Sequence, residues 1–377
     1  MGAINPRHIV AARDLRKRYC RRTQVGASPG TLVADPKAQV STVYLVSYDT
    51  SQFFEKNDLS AEEISVLKGR GKNLWIEVVG LANVTIIQHI GAQFGMHSLA
   101  IEDVINTHQR PKMEAYDHQI FIVIRIPSMA SGVKLRQLSI LLGNGFLLSF
   151  RDDVDEYLNL VRDRIRWEIE EFRQHGLDYL AYTLIDTVID SYFPILEAVG
   201  EDLERLEEAV ILHANDEQIY EIYRLRCDLL DLRRAIYAQR DMVKSLINDD
   251  SRLITDYTKI FLRDCYDHLA QLVDIVDAEL EIASSLLEVC HFFMSARMND
   301  VMKTPTLIAT IFMPLSFIAS LYGMNFDRSV SAWNMPELGW RYGYPFSLGL
   351  MAVCGIGMLI YFLCKHWIKP PKVKRRR

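Results

Sequence analysis

The stretch Thr304–Phe326, TPTLIATIFMPLSFIASLYGMNF, is the feature that most constrains this chain. It carries no charged residue between Pro305 and Met324, and as a helix it can cross the roughly 30 Å of a bilayer's hydrocarbon core. We therefore predict a membrane-spanning helix at this point. A second apolar run, Tyr344–Leu363, contains glycines suited to close helix packing and predicts a second span.

One face of the first span has a distinctive composition. Small and thioether side chains recur at spacings of 7, 4, 3 and 4 residues, which places them on the same side of a helix. They are Met302, Ala309, Met313, Ser316 and Ser320. Spacing alone favours a helix-packing surface, because small residues let membrane helices approach closely. A pore lining is the alternative.

Charge is segregated along the chain. Residues 1–35 carry 7 Lys and Arg against 2 Asp and Glu, and the residues after Phe362 carry 7 against none. The remainder holds 29 basic and 46 acidic residues, a body that should attract divalent cations and repel nucleic acid. Solvated helix surfaces account for most of these acids. By the positive-inside rule both termini are expected in the cytoplasm, which leaves the link between the spans outside.

The N-terminal half predicts an α+β cytoplasmic domain with a mixed sheet and flanking helices. Its expected strands are Val43–Tyr48, Leu74–Val79 and Ile120–Ile126, and its expected hairpin joins Leu138–Leu142 to Phe146–Phe150. Helices are expected after a capping box at Ser60–Glu63, at Val84–Phe94, and from Asp153 to about His175, where Gly176 would end the helix.

The region between Gly200 and Pro305 contains no glycine or proline. We predict two long helices that reverse at Asn248–Ser251. The second would run to Tyr322, some 70 residues or roughly 100 Å. An apolar stripe indicates bundle packing: Leu262, Tyr266, Leu269, Val273, Val276 and Leu280. A dimeric coiled coil is the alternative, but continuity into a membrane span favours a stalk.

The expected organisation is a basic disordered tail (1–39), an α/β domain (40–176), cytoplasmic helices (177–250), a stalk helix continuing into the first span (251–322), an external loop (323–343), the second span (344–363) and a basic cytoplasmic tail (364–377).

The N-terminus lacks the apolar run of a signal peptide. Six cysteines form no CxxC pair, which fits a reducing compartment. With no catalytic motif, we expect neither an enzyme nor an organic cofactor.

The first span ends in Tyr322-Gly-Met-Asn-Phe326, and Met335-Pro-Glu-Leu338 and the second span follow. In this context the chain, from about Val43 onward, resembles the CorA family of magnesium channels. The resemblance implies a homopentamer in the membrane in which five first spans line one pore for Mg²⁺, with Co²⁺ and Ni²⁺ as further ions. The implied pore residues are Asn299, Met302, Ala309, Met313, Ser316, Ser320, Gly323, Met324 and Asn325, with Glu337 in the outer loop. Pro305 stands where the family generally has a bulky aliphatic gate residue, so the position of the constriction is left open.

An amide at the pore mouth suits magnesium physically. Mg²⁺ gives up its water reluctantly, and neutral amide oxygens can accept hydrogen bonds from its water shell without stripping it. A carboxylate ring would hold the ion longer, whereas conduction needs release as well as binding. A helix C-cap is the simpler role for Asn325, and the two are compatible.

Two cytoplasmic segments also resemble the family: Ile101–Ile126 and Arg263–His268. The resemblance implies that Asp103 of one subunit and Asp264 of the next bind a regulatory Mg²⁺, with Glu102 as an auxiliary ligand. Without it, these residues are solvated helix acids. Two other functions compete with the magnesium channel. One is a zinc or proton-coupled transporter on the same scaffold, and the other is a membrane-anchored signalling protein, which should carry an output domain.

Overall fold

The structure is a computed structural model that describes residues 26, 28, 30–33, 35, 36, 38–57, 59, 63, 64, 73–130, 132–152, 156–167, 172–325, 327, 329, 331, 333–365 and 367. The chain divides into two compact units, Met1–Leu287 and Glu288–Arg377. The predicted capping box at Ser60–Glu63 and most of both basic tails fall outside the described residues.

The first unit is built on a mixed sheet, as predicted. Among the described residues its strands are β1 (Thr42–Tyr48), β2 (Phe53–Asn57), β3 (Asn73–Val79), β4 (Lys112–Tyr116), β5 (Gln119–Met129), β6 (Val133–Gly143) and β7 (Phe146–Arg151). Their order is β2-β1-β3-β7-β6-β5-β4. The pair β3 and β7 is parallel and the other neighbours are antiparallel.

The predicted hairpin is confirmed. Gly143 of β6 pairs with Phe146 of β7, which leaves Asn144 and Gly145 as the turn. Gly145 has a φ of 80°, a conformation that a residue with a Cβ rarely adopts. Sequence reasoning missed β2, a short strand of sequence FFEKN that, among the described residues, forms the edge of the sheet and pairs with β1. Its charged residues are typical of strand edges and weaken the pattern by which strands are found.

Consecutive apolar side chains along β5 point to opposite faces of the sheet, and those on both faces are buried. Phe121 and Val123 join a core with two short helices, α1 (Val84–Gln93) and α2 (Ser98–Ile105). Ile122 and Ile124 are buried as well, between those positions. The sheet is thus covered on each side, as its nearly continuous apolar strands require.

The helices after the sheet are α3 (Glu156–Trp167), α4 (Leu177–Asp190), α5 (Tyr192–His213), α6 (Asp216–Ile247) and α7 (Asp256–Tyr322). Gly176 is the N-cap of α4, so the expectation that it ends the preceding helix was wrong. An additional break separates α5 from α6. Asn215 accepts a hydrogen bond from the Gln218 N–H and its own N–H donates to Gln218 Oε1, a capping box that starts a new helix.

The long helix α7 begins at Asp256, not near Ser251 as predicted. Arg252 has a φ of 62°, which is incompatible with a helix, and Asp249 accepts a hydrogen bond from the Ser251 N–H in a tight turn. The helix then starts where Thr255 Oγ1 accepts a hydrogen bond from the Thr258 N–H. Most of the predicted apolar stripe is buried: Leu262, Leu269, Val273 and Val276.

The start of α7 is held by one buried carboxylate on α4. Asp178 Oδ2 accepts hydrogen bonds from the Thr255 N–H at 2.9 Å, the Thr255 hydroxyl at 2.7 Å and the Thr258 hydroxyl at 2.7 Å. Asp178 is buried. A single side chain therefore satisfies three donors at a helix N-terminus, where the backbone has no partner of its own.

The second unit contains the rest of α7, a 3₁₀ turn at Pro336–Gly339 and α8 (Gly343–Cys364). The helix α7 passes through Pro305 and Pro314 without interruption. The hydroxyls of Thr306 and Thr310 donate to the carbonyls of Met302 and Thr306, which adds local hydrogen bonds where proline removes a backbone donor.

We expect Asp178→Ala to lower the stability of the full-length protein by about 2–3 kcal/mol, because it leaves the buried Thr258 hydroxyl and the two Thr255 donors without their charged acceptor. The control is Asp202→Ala, which removes an exposed aspartate paired with Arg205 and should change stability by less than about 0.5 kcal/mol. Thermal unfolding of both variants in detergent measures the difference. Equal melting temperatures would show that Asp178 does not anchor α7.

Candidate functional site

The predicted pore face of α7 lies opposite the side that packs within the chain. Met302, Ala309, Met313, Ser316 and Ser320 are all exposed. The half-buried positions of the same segment fall on the other side of the helix: Leu307, Ile311, Leu315, Ile318 and Tyr322. Leu315 lies 3.9 Å from the position of a Cβ at Gly355 in α8. Among the described residues, the small and thioether face is therefore exposed, and Met302, Ala309 and Met313 border an open cleft beside Met358 of α8.

The Gly-Met-Asn segment follows the last turn of α7. The Gly323 N–H donates to the carbonyls of Ala319 at 3.0 Å and Ser320 at 3.2 Å, so the glycine backbone closes the helix. Gly323, Met324 and Asn325 are all exposed. No hydrogen bond within the described part of the chain uses the Asn325 side chain, so the amide is not acting as a cap there.

The loop after Asn325 is bonded to itself. Asn334 Nδ2 donates to the Asp327 carbonyl at 2.6 Å, and Glu337 lies half-buried in the 3₁₀ turn. A Cβ at Gly343 would collide with the Glu337 carbonyl, which explains a glycine at the start of α8. This geometry fixes the loop that carries the second predicted mouth residue.

Both C-terminal helices have the length and apolar composition of membrane spans, and their most apolar stretches are 0% and 11% buried. A core helix of a soluble protein would be mostly covered. Exposed aromatic side chains flank the second helix, as in the aromatic belts at membrane interfaces: Trp333, Trp340, Tyr342, Tyr344 and Trp367.

The predicted regulatory acid Asp103 lies on α2 and is already paired. Its Oδ2 lies 2.7 Å from Lys112 Nζ, and Lys112 Nζ is also 2.6 Å from Glu114 Oε1. The Asp103 side chain is only 15% exposed. Burial raises its pKa above the ordinary range and the neighbouring acids add to this, against the opposing pull of Lys112.

The other two predicted ligands are placed differently. Glu102 Oε2 accepts a hydrogen bond from the Gly30 N–H at 2.7 Å. Asp264 lies on α7 with a side chain that is 66% exposed, and its Oδ2 is 3.8 Å from His268 Nε2. The structure thus brings Glu102 and Asp103 to one helix of the α/β region, and Asp264 to another helix beside a histidine.

A further group of potential ligands adjoins Asp264. One ligand atom from each of Asp186, Asp190 and His268 lies within 4.8 Å of the others. Cys265 Sγ donates to Asp186 Oδ1 at 3.4 Å. Burial, reinforced by the charge of Asp190, raises the pKa of Asp186. His268 Nδ1 is shielded from solvent and has no hydrogen-bond partner among the described residues. Carboxylates with an orphaned imidazole nitrogen fit a divalent cation, and the nitrogen suits Co²⁺ better than Mg²⁺.

Comparison with known proteins identifies the family. The model of the CorA-like Mg²⁺ transporter protein family matches residues 71–375. This chain belongs to the CorA family. Among its relatives, the cobalt/magnesium transport protein CorA of Thermotoga maritima is 35% identical over 91% of this chain and 97% of its own length. The magnesium transport protein CorA of Mannheimia succiniciproducens is 26% identical over 62% of this chain and 72% of its own.

The fold agrees with CorA as well. The complete structure of the CorA magnesium transporter from Methanocaldococcus jannaschii superposes with a TM-score of 0.73, at 20% identity, over 86% of this chain and 98% of that one. The predicted CorA resemblance and fold class are thus confirmed. The expectation that the protein is not an enzyme agrees with membership of a transporter family.

Sequence reasoning missed Asp186, Asp190 and His268, although a signal was present. Asp186 and Asp190 are four residues apart, as are Asp264 and His268, and this spacing puts each pair on one helical face. The two faces meet only because α4 packs beside α7. Likewise, the pairing of Asp103 with Lys112 follows from the end of α2 lying beside β4, and no local pattern shows it.

Proposed function

We propose that this CorA protein is a channel for the influx of Mg²⁺, and also of Co²⁺ and Ni²⁺. The observation that carries the proposal is the exposed face of small and thioether residues on the first span, which ends at an exposed amide, Asn325. The Thermotoga maritima relative, named for cobalt and magnesium transport, aligns with nearly the whole chain. Its name supports Mg²⁺ and Co²⁺ as the cargo.

The pore forms between subunits of a homopentamer. A single narrow polar face cannot enclose a conduit, so several copies of α7 must contribute. Asn299 and Met302 lie toward the cytoplasm, then Ala309, Met313, Ser316 and Ser320, and Asn325 forms the outer mouth. Its amides accept hydrogen bonds from hydrated Mg²⁺, Gly323 and Met324 position them, and Glu337 concentrates cations nearby. Met302 and Met313 are the candidates for the constriction, since Pro305 is not bulky.

The membrane potential drives influx. In the cell (inner) membrane, the positive-inside rule applied to the basic C-terminal residues favours both termini in the cytoplasm and the Gly-Met-Asn segment outside. A doubly charged ion gains roughly 4.6 kcal/mol per 100 mV, twice the single-charge value. No other energy source is required. A zinc or proton-coupled transporter is the alternative, and the relatives named for magnesium argue against it.

Cytoplasmic Mg²⁺ closes the channel by binding between subunits. Asp103 of one subunit and Asp264 of the next hold the ion, and Glu102 assists. Asp186 and Asp190 lie on the helix beside Asp264 and enlarge its acidic surface. When the ion leaves, like charges repel and α7 shifts. Two carboxylates about 6 Å apart repel by roughly 3 kcal/mol at an effective dielectric constant of 20. About 5.5 kcal/mol reverses a 99:1 equilibrium, only about 1 kcal/mol from each of five interfaces.

For the mouth, we expect Asn325→Ala to abolish Mg²⁺ uptake into liposomes, a loss of more than about tenfold, because the ring of amide acceptors is gone. Asn325→Asp should bind the ion more tightly and conduct more slowly. Size-exclusion profiles of both variants should match the parent, since the Asn325 side chain is exposed. Parental flux through an assembled Asn325→Ala protein would exclude the amide ring.

For the assembly, we expect native mass measurement in detergent to give five chains per particle. The measurement should be repeated with Mg²⁺ removed, where the particle should remain pentameric because the membrane helices still pack together. A stable dimer in both conditions would contradict a central pore lined by α7.

For gating, we expect Asp103→Asn with Asp264→Asn to leave the channel open at Mg²⁺ concentrations that silence the parent. Lys112→Met should do the opposite and close the channel at about tenfold lower Mg²⁺, because it removes the ammonium that competes for Asp103. Flux is measured in liposomes over a series of internal Mg²⁺ concentrations.

The matched control for gating is Asp202→Asn, an exposed helical aspartate far in sequence from these ligands. It should leave the closing concentration unchanged. If the double variant still closes at the parental concentration, the sensor lies elsewhere. If Lys112→Met behaves like the parent, the ammonium does not compete with the cation.

A further inference from the structure

The residues that line a large cavity in the first unit are mostly basic, whereas the chain between the two basic tails is mostly acidic. Its volume is about 1040 Å³, at the upper end of the range for small-molecule sites. Six Arg or Lys side chains line it against three Asp. The basic residues come from the loop before β4, from β5 and β6, and from α6: Arg110, Arg125, Lys134, Arg136, Arg233 and Arg234.

We propose that this cavity binds an organic or inorganic polyphosphate, with nucleoside triphosphates as the organic form. Between its two basic tails the chain has 29 basic and 46 acidic residues. The lining of this cavity has the opposite balance, with more basic than acidic side chains. Arginine side chains that line one space suit phosphate, because the planar guanidinium donates two hydrogen bonds at once. Arg233 is already paired with Asp277 at 2.6 Å.

Two of the arginines are held loosely and are available to a ligand. Arg110 lies 3.5 Å from Asp241 and its side chain is 72% exposed. Arg234 lies 3.6 Å from Asp231 and is 68% exposed. Both distances are longer than those of close ion pairs elsewhere on the helices, such as Arg205 with Asp202 at 2.6 Å. An anion with several charges can displace the single exposed carboxylate of Asp241 from Arg110. Asp231 is only 16% exposed, so the anion must contact the exposed Arg234 side chain while that carboxylate stays nearby.

Arg125 serves a different purpose in the same wall. It is buried and donates to the carbonyls of Thr107 at 2.7 Å and Gln109 at 2.9 Å. Gln137 Oε1 accepts a hydrogen bond from the Gln109 N–H at 3.1 Å. The loop that carries Arg110 is therefore held in place before any ligand arrives, and preorganisation lowers the entropic cost of binding.

The wall also offers apolar area beside the charges. Leu81, Ile105, Leu135 and Ala235 line the cavity together with Tyr237, whose ring lies 5.3 Å from the Arg233 guanidinium. This mixture suits a ligand with a planar ring as well as phosphates. The chain's own basic tails are unsuitable occupants, since residues 1–35 carry 7 basic side chains and only 2 acidic ones.

The test is calorimetry on the full-length protein in detergent, first freed of metal with EDTA, with sodium ATP, sodium tripolyphosphate and adenosine as probes. We expect ATP and tripolyphosphate to bind and adenosine not to bind. Arg234→Glu and Arg110→Glu, made separately, should each weaken both anions by at least about tenfold. Raising the salt should also weaken binding.

The matched control is Arg205→Glu, which reverses an equally exposed helical arginine (67%) that also has an aspartate three residues before it but lies outside the cavity. It should bind the anions like the parent. Tighter binding of ATP than of tripolyphosphate assigns a nucleotide, and equal binding assigns an inorganic polyphosphate. Absence of binding by both anions, or equal losses in Arg205→Glu and Arg234→Glu, would overturn the proposal.

Discussion

The hydrogen-bonded backbone of α7 is the constraint on which the rest of the molecule depends. Inside a bilayer every N–H and carbonyl must find a partner within the protein. An interruption of a membrane-spanning helix therefore leaves backbone groups that other parts of the protein must hydrogen-bond. Pro305 and Pro314 each remove a donor, and Thr306 and Thr310 add hydroxyl bonds in the same turns. At its other end the helix starts on Asp178, which satisfies donors that a free N-terminus would give to water.

How much of this could be predicted depended on whether the signal was local. The hairpin turn at Asn144 and Gly145 and the apolar spans are written in adjacent residues, and both were found. The capping box at Asn215 is equally local, but the lack of glycine and proline around it favoured one continuous helix. The start of α7 was placed five residues early because the left-handed backbone at Arg252 leaves no trace in residue type.

The candidate sites show the same division more sharply. The face of small and thioether residues could be derived from spacing, whereas its assignment as a pore lining and that of the Gly-Met-Asn segment came from the resemblance to the family. The side of α7 that is covered within the chain could not be predicted, since it depends on how α8 packs against α7. The group around His268 joins residues about 80 positions apart, and Asp103 meets Lys112 through the packing of a helix end beside a strand. Contacts of this kind exist only once the chain has folded.

Lys112 bears directly on how a cation would bind Asp103, the residue proposed above as a regulatory ligand. A divalent ion attracts a carboxylate about twice as strongly as an ammonium group at the same distance, but Mg²⁺ resists losing its water. Lys112 already lies 2.7 Å from Asp103. An incoming ion must therefore displace the ammonium group, and it must also lose part of its own water shell, which the ammonium group has already done. Such competition weakens the net affinity while preserving the selectivity of the acids for a divalent charge. A weak site of this kind would suit the proposed response to an abundant cytoplasmic ion, whereas a tight one would stay filled at every physiological concentration.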